Sequence, residues 1–287
     1  MLLYQRIRAR AEKGEKSILL VPEQFTSSTE GRIYRELGDA LSGMVESFSF
    51  TSLAEKILST EGGAAVQTLS DAGRAVLVRR ALEELQDNVH YYHRHRRSAA
   101  FCQMAAQTID ELKSAGLSGQ QLAQLAGACG AESGKLSELA LIFQGYETLL
   151  ARSGMDPSDR LELAGARLEE ALARHSLPEF LRDRAVFIDE FDTFNAPKKR
   201  LLGAMLAALP SVTVALCDDG APLLPGDLSL FSGAKQVAAQ LRQLARKNGA
   251  EVAVPQLLRK DLRHRNAPGL AAVAELLETG SCTADAP

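Results

Sequence analysis

A chain of 287 residues with 46% hydrophobic content is long and apolar enough for one large domain or two modest ones around a proper core. A formal net charge of −3 excludes a uniformly basic protein that coats polyanions, while a local basic face stays compatible with DNA. No apolar run reaches the roughly 20 residues of a membrane span and no secretory signal is present, so a cytoplasmic address without membrane contact is expected.

Residues 2–13 read as a helix, and after the turn Lys13-Gly14-Glu15-Lys16 the run Ile18-Leu19-Leu20-Val21, closed by Pro22, reads as a buried strand. A helix is expected from Ser27 to Leu41, a strand over Val45 to Phe50 and a helix over Ser52 to Leu58. Such alternation signals a parallel sheet. From Ser70 to Leu181 the pattern changes to apolar residues three and four apart, as in Ala75-Leu77-Val78-Ala81-Leu82-Leu85, which marks an all-helical block. Strands return with Ala185-Val186-Phe187-Ile188, Val212-Thr213-Val214-Ala215-Leu216 and a short Val252-Ala253-Val254, separated by helices over Pro197 to Ala208 and Ala234 to Lys247. The expected architecture is an α/β domain in two parts, residues 1–66 and 183–257, with a helical insertion at 67–182 and a polar, unanchored tail at 258–287.

Cys102, Cys129, Cys217 and Cys282 are scattered, without zinc-ligand spacing, and read as reduced thiols; no metal site is expected. With no tryptophan and 5% aromatic residues, a platform of many stacked bases is excluded. The sharpest local feature is Val186-Phe187-Ile188-Asp189-Glu190-Phe191-Asp192-Thr193-Phe194-Asn195. An apolar strand ending in Asp-Glu puts two carboxylates at the carboxyl edge of a parallel sheet, where α/β proteins bind ligands. In P-loop NTPases an Asp at this place holds Mg²⁺ and a neighbouring acid orients water. The run also resembles motif II of superfamily-1 helicases, with Phe191 where that motif has Gln.

No Walker A loop accompanies it. Cys129-Gly130-Ala131-Glu132-Ser133-Gly134-Lys135-Leu136 fails at its first Gly and at the Ser/Thr, and joins two helices. Leu216-Cys217-Asp218-Asp219 stands where helicase motif III would follow its strand, without the phosphate-sensing Gln, so hydrolysis of ATP by these residues alone is not expected.

Two polar turns complete the candidates: Val21-Pro22-Glu23-Gln24-Phe25-Thr26 and Phe48-Ser49-Phe50-Thr51-Ser52. Strand ends followed by helix N-termini suit phosphate and base-edge contacts, with Phe50 as a stacking ring. The residues alone favour helix capping by Thr26, Ser27 and Thr51, with Phe48 and Phe50 in the core. The run His90-Tyr91-Tyr92-His93-Arg94-His95-Arg96-Arg97 reads first as a solvated interhelical loop and second as a grip on a phosphate backbone. Arg263-His264-Arg265-Asn266 is a smaller basic turn.

Leu20 to Thr26, Glu46 to Ala54 and Ile188 to Phe194, together with Phe101 and Ile109-Asp110-Glu111-Leu112-Lys113, resemble the N-terminal region of the AddB family, the B-type subunits of ATP-dependent helicase/deoxyribonucleases, over residues 2 to 275. The resemblance implies a superfamily-1 helicase-like α/β fold of the P-loop class that has largely lost motor function. It implies a partner A-type subunit that drives translocation, and DNA, as an end or a single strand, as substrate. Gln24, Thr26 and Phe50 match positions implicated in reading a recombination hotspot, whereas Ser52 stands for an expected Arg and Glu55 for an aromatic residue. The family commonly opens with a strand and a phosphate loop before the first helix, which implies a truncated start here. Its ATP and Mg²⁺ site and its iron–sulfur nuclease domain then belong outside these residues. The resulting candidates for DNA contact are Gln24, Thr26, Phe50, Thr51 and Ser52, with Phe191, Phe194, Arg94, Arg96 and Arg97 in second rank. Asp189 and Glu190 form the motif II-like pair, and no catalytic residue is assigned.

Overall fold

The computed structural model describes residues 2–65, 67–130, 133–258 and 267–281. Helix α1 (Leu2–Ala11) leads to strand β1 (Ser17–Leu20), and a single 3-10 turn (Glu23–Phe25) to α2 (Thr26–Leu37). Gly38, at φ 76, breaks the helix that the periodicity carries on to Leu41, and a short α3 (Asp39–Ser42) precedes β2 (Val45–Phe48) and α4 (Phe50–Glu61). The helical block consists of α5 (Asp71–Glu84), α6 (Ala99–Ser114), α7 (Gly119–Ala126), α8 (Ser133–Ser153) and α9 (Pro157–Ala173). Then come β3 (Ala185–Ile188), α10 (Ala196–Ala208), β4 (Ser211–Val214), α11 (Ser232–Lys247) and α12 (Pro268–Thr279).

The four strands form one parallel sheet in the order β2-β1-β3-β4, with Leu20 level with Phe48 and Ile188, and Ile188 level with Val214. A parallel sheet is covered on both faces, which explains the unbroken burial of β1 and β3. Leu19, Val21 and Phe187 pack under α1 and α2 through Tyr4, Ile7, Ile33 and Leu37. Ile18, Leu20, Val186 and Ile188 face α4, α9 and α10 through Leu53, Ile57, Leu168, Leu201 and Met205. The crossovers through α2 and α10 run in opposite directions on opposite faces, as a single handedness requires.

Helices α5 to α8 enclose a second core around Val78, Ile109, Phe143 and Tyr146. Helix α9 ties this block to the sheet layers: Arg160 pairs with Glu55 of α4, and Glu162 and Glu169 hold Arg200 of α10. Its N-cap Asp156, 1% exposed, accepts from Lys113 Nζ at 2.8 Å and from the Tyr146 hydroxyl. Burial opposes the Lys113 charge, but hydrogen bonds to Asp156 and Asp159 outweigh it and raise its pKa above the ordinary lysine value.

Two expectations are corrected. Val252-Ala253-Val254 forms no strand: Val254 is 91% exposed, Pro255 removes a donor, and no strand among the described residues pairs with the stretch. The tail contains a helix, α12, begun by Pro268 and closed by Gly280 at φ 73, because its apolar residues follow helical spacing. The basic turn 263–266 lies outside the described residues.

Replacing Lys113 with Met should cost about 3–5 kcal/mol in urea unfolding at neutral pH, because it strands a buried carboxylate. A pKa raised on folding contributes stability that is complete below the unfolded lysine value and fades as pH rises through the folded one. The gap between wild type and variant should therefore be flat through neutral pH and narrow in strong alkali; a cost below about 1 kcal/mol would contradict the network's role.

Candidate functional site at the carboxyl edge of the sheet

Because all four strands point the same way, their carboxyl ends share one edge. The ladder runs one residue beyond each strand: Val21 N–H donates to Phe48 C=O at 3.0 Å, Asp189 N–H to Leu20 C=O at 3.0 Å and Ala215 N–H to Ile188 C=O at 2.9 Å. The chain therefore leaves the sheet at Pro22, Ser49, Glu190 and Leu216 side by side.

Asp189 is half-buried and Glu190 exposed at this edge. Glu190 adopts φ 64, a left-handed conformation that costs a residue with a Cβ roughly 1–2 kcal/mol, and its N–H donates to Asp189 Oδ1 at 3.1 Å. Tyr4, in the first turn of α1, faces the same corner. Burial raises its phenol pKa, Arg32 stacked 4.6 Å from the ring lowers it, and Asp189, Glu36 and Glu190 raise it further. The acidic pair thus lies beside the start of a helix, the arrangement in which a sheet edge can receive a charged ligand.

Phe50, which the residues alone place in the core and the family resemblance offers for DNA contact, and the second-rank candidates Phe191 and Phe194 are buried at 3%, 9% and 4% exposure. They pack edge-on and tilted with centroids 5.2–6.1 Å apart, so their faces are spent on one another and offer none to a base. Thr51 is exposed and caps nothing; the cap of α4 is Ser49, which accepts from Ser52 N–H while Ser52 Oγ accepts from Ser49 N–H. Gln24 is exposed on the 3-10 turn, and the Thr26 hydroxyl donates to Glu23 C=O at 2.7 Å. Arg94, Arg96 and Arg97 lie in the loop between α5 and α6, within the helical block and outside this sheet-edge set.

Two members of the edge stand outside the contact residues named from the sequence. Phe25 is 39% exposed between Gln24 and Thr26 and is the ring that the turn presents. Lys198 sits 5.6 Å from the Phe50 centroid and 5.4 Å from that of Phe191; burial lowers its pKa while Glu23 raises it. A weak signal for Lys198 lies in Asn195-Ala196-Pro197-Lys198, since a cation in the first turn of a helix opposes the helix dipole and needs another reason to be there.

The acids after β4 serve the fold. Lys235, 5% exposed, pairs with Asp219 at 3.1 Å and Asp227 at 3.4 Å and draws the loop 218–231 onto α11. Cys129 to Leu136 runs from the end of α7 into α8, residues 131 and 132 lying outside the described ones. Among the described residues, no group of three or more His, Cys, Asp or Glu could hold a metal ion, and no helix is long and apolar enough to cross a membrane.

A four-stranded parallel sheet with helices on both faces and an acidic pair at its carboxyl edge defines an α/β protein consistent with a helicase-like domain. Comparison with known proteins is more specific. The family described as ADDB, N-terminal matches residues 1–274, and the chain belongs to it. Similar proteins include the B-type subunit of the ATP-dependent helicase/deoxyribonuclease of Desulforudis audaxviator, 34% identical over 91% of this chain and 22% of that protein. The proteins of the same name from Symbiobacterium thermophilum and Clostridium perfringens are 32% and 29% identical, over 93% and 87% of this chain and 23% and 21% of theirs. The chain spans about a fifth of the length of these relatives.

Phe50→Ala is expected to cost about 3–5 kcal/mol in chemical denaturation, as a large ring leaves a packed cluster. Ser49→Ala should cost about 1 kcal/mol through the lost cap, and Thr51→Ala should be near neutral. A Phe50→Ala protein as stable as wild type would remove the ring from the core.

Proposed function

We propose that this chain is the strand-holding, helicase-like part of the B-type subunit of a bacterial helicase–deoxyribonuclease in double-strand break repair and recombination. Its substrate is a DNA end or single strand, and its partner an A-type subunit that supplies translocation. The observation that carries the reading is the side-by-side exit of three polar turns at one sheet edge: Glu23 to Thr26, Ser49 to Ser52, and Asp189 to Asn195. The exposed amide of Gln24 and hydroxyl of Thr51 supply base-edge and phosphate contacts, Phe25 supplies a ring for a base, and Lys198 supplies a cation between the turns. In this reading the turns inspect the strand, including hotspot sequence, and the chain itself is motor-inactive.

Asp189 and Glu190 favour a second reading, an ATPase of the superfamily-1 helicase type in which this pair meets Mg²⁺ and water beside α1. DNA-stimulated ATP hydrolysis by the full-length protein, abolished by Asp189→Asn within it, would support that reading and remove the motor-inactive one.

Gln24→Ala combined with Thr51→Ala removes two exposed polar side chains without touching the core. At about 0.7 kcal/mol for each hydrogen bond, single-stranded DNA affinity should fall about tenfold in fluorescence anisotropy, with the melting temperature unchanged. Wild-type affinity in the double variant would refute strand holding at this edge.

A further inference from the structure

The loop between α5 and α6 is built in a way that the sheet-edge site does not require. Residues 88–98 contain Arg94, Arg96 and Arg97, three histidines and two tyrosines, with no carboxylate, in a chain whose net charge is negative. Beneath the loop, Glu138 of α8 is 6% exposed, and its carboxylate accepts from the backbone N–H groups of His90 at 2.7 Å, Tyr91 at 2.9 Å and Tyr92 at 3.2 Å. A buried carboxylate is normally neutralised by a basic side chain. Here peptide dipoles do that work. Among the described residues no carboxylate is paired with Arg94, Arg96 or Arg97, whereas the arginines of the preceding helix all have partners: Arg74 with Asp71, Arg79 with Glu83 and Arg80 with Glu84.

The loop is also braced from its far side. Tyr92 stacks on Phe101 with centroids 5.3 Å apart, and His95 lies 5.7 Å from the same ring. Tyr91 is 56% exposed and rests against the first turn of α8 at Gly134, where an added Cβ would come within 2.7 Å of the ring. Any side chain at that position would collide with the tyrosine ring. A backbone anchored at residues 90–92, the exposed Arg94 and Arg97 and the exposed Tyr91 ring form a surface suited to a nucleic-acid strand: charges for phosphates and a ring for a base.

We propose that the Glu138-anchored loop 90–97 is a second contact for a single nucleic-acid strand, in which Arg94 and Arg97 meet phosphates and Tyr91 stacks on a base. This rests on the strand-holding reading and extends it from the sheet edge to the helical block. Glu138 is a positioning residue that acts through the loop backbone.

The test uses the full chain and a single-stranded oligonucleotide, read by fluorescence anisotropy across a salt series. Arg94→Ala with Arg97→Ala, both exposed, should weaken binding about tenfold and reduce the slope of log K against log salt by about 1.4, or 0.7 for each lost phosphate contact. Lysines at both positions should restore the slope, and Tyr91→Ala should weaken binding severalfold with the slope unchanged. Unchanged affinity and slope in the double alanine variant, with wild type binding, would overturn the loop proposal and leave the sheet-edge reading standing. Wild type that binds no strand would defeat both. A poly-glutamate peptide of equal charge that binds as tightly as the oligonucleotide and displaces it would assign the loop to an acidic protein segment instead.

Discussion

A parallel sheet exposes no face to water, and the burial of both faces is the constraint from which the rest of this structure follows. Four short strands place Leu19 and Phe187 on one side and Leu20 and Ile188 on the other, and each side must find helices. Helices α1 and α2 close the first face. The second is closed by α4, α9 and α10, two of which flank the strands in sequence, while α9 arrives from the far end of the helical block. The insertion is therefore held by the sheet's own need for cover, with Arg160 and Arg200 fixing the register of α9 between α4 and α10.

The same constraint produces the candidate site. Strands that all run one way deliver their following turns to one edge, and the ladder bonds at Val21, Asp189 and Ala215 keep those turns adjacent. What each turn presents depends on how its apolar residues were used. Phe50, Phe191 and Phe194 close the core just beneath the edge, and that leaves Gln24, Phe25, Thr51 and Lys198 above it. Ring burial and polar exposure are two results of one packing arrangement.

Charge is distributed with similar economy. Asp156 is paired with Lys113 in the helical core, and Asp219 and Asp227 with Lys235 beside β4, so acids that look available in the sequence serve the fold. Glu138 differs from these in being satisfied by loop amides, and among the described residues no carboxylate pairs with Arg94, Arg96 or Arg97 of the loop above it. Membership of the AddB N-terminal family gives the sheet edge and the loop a common context, that of a region matching about a fifth of much longer relatives.

The alternation of apolar runs and helical periodicity determined, by itself, the α/β class, the strands around Ile18 to Leu20 and Ala185 to Ile188, the helical block, and the motifs that carry the family resemblance. These features are local: a strand buried on both faces and an amphipathic helix write their periods directly into neighbouring residues. Tertiary structure alone decided that Val252 to Val254 joins no strand among the described residues, that Phe191 and Phe194 belong to the core while Phe25 does not, and that Glu138 underlies a loop some 47 residues away in sequence. A ring, a carboxylate or an amide carries the same letter whether it faces solvent or packing. Which of these it meets depends on residues brought from elsewhere in the chain, and no local period records that.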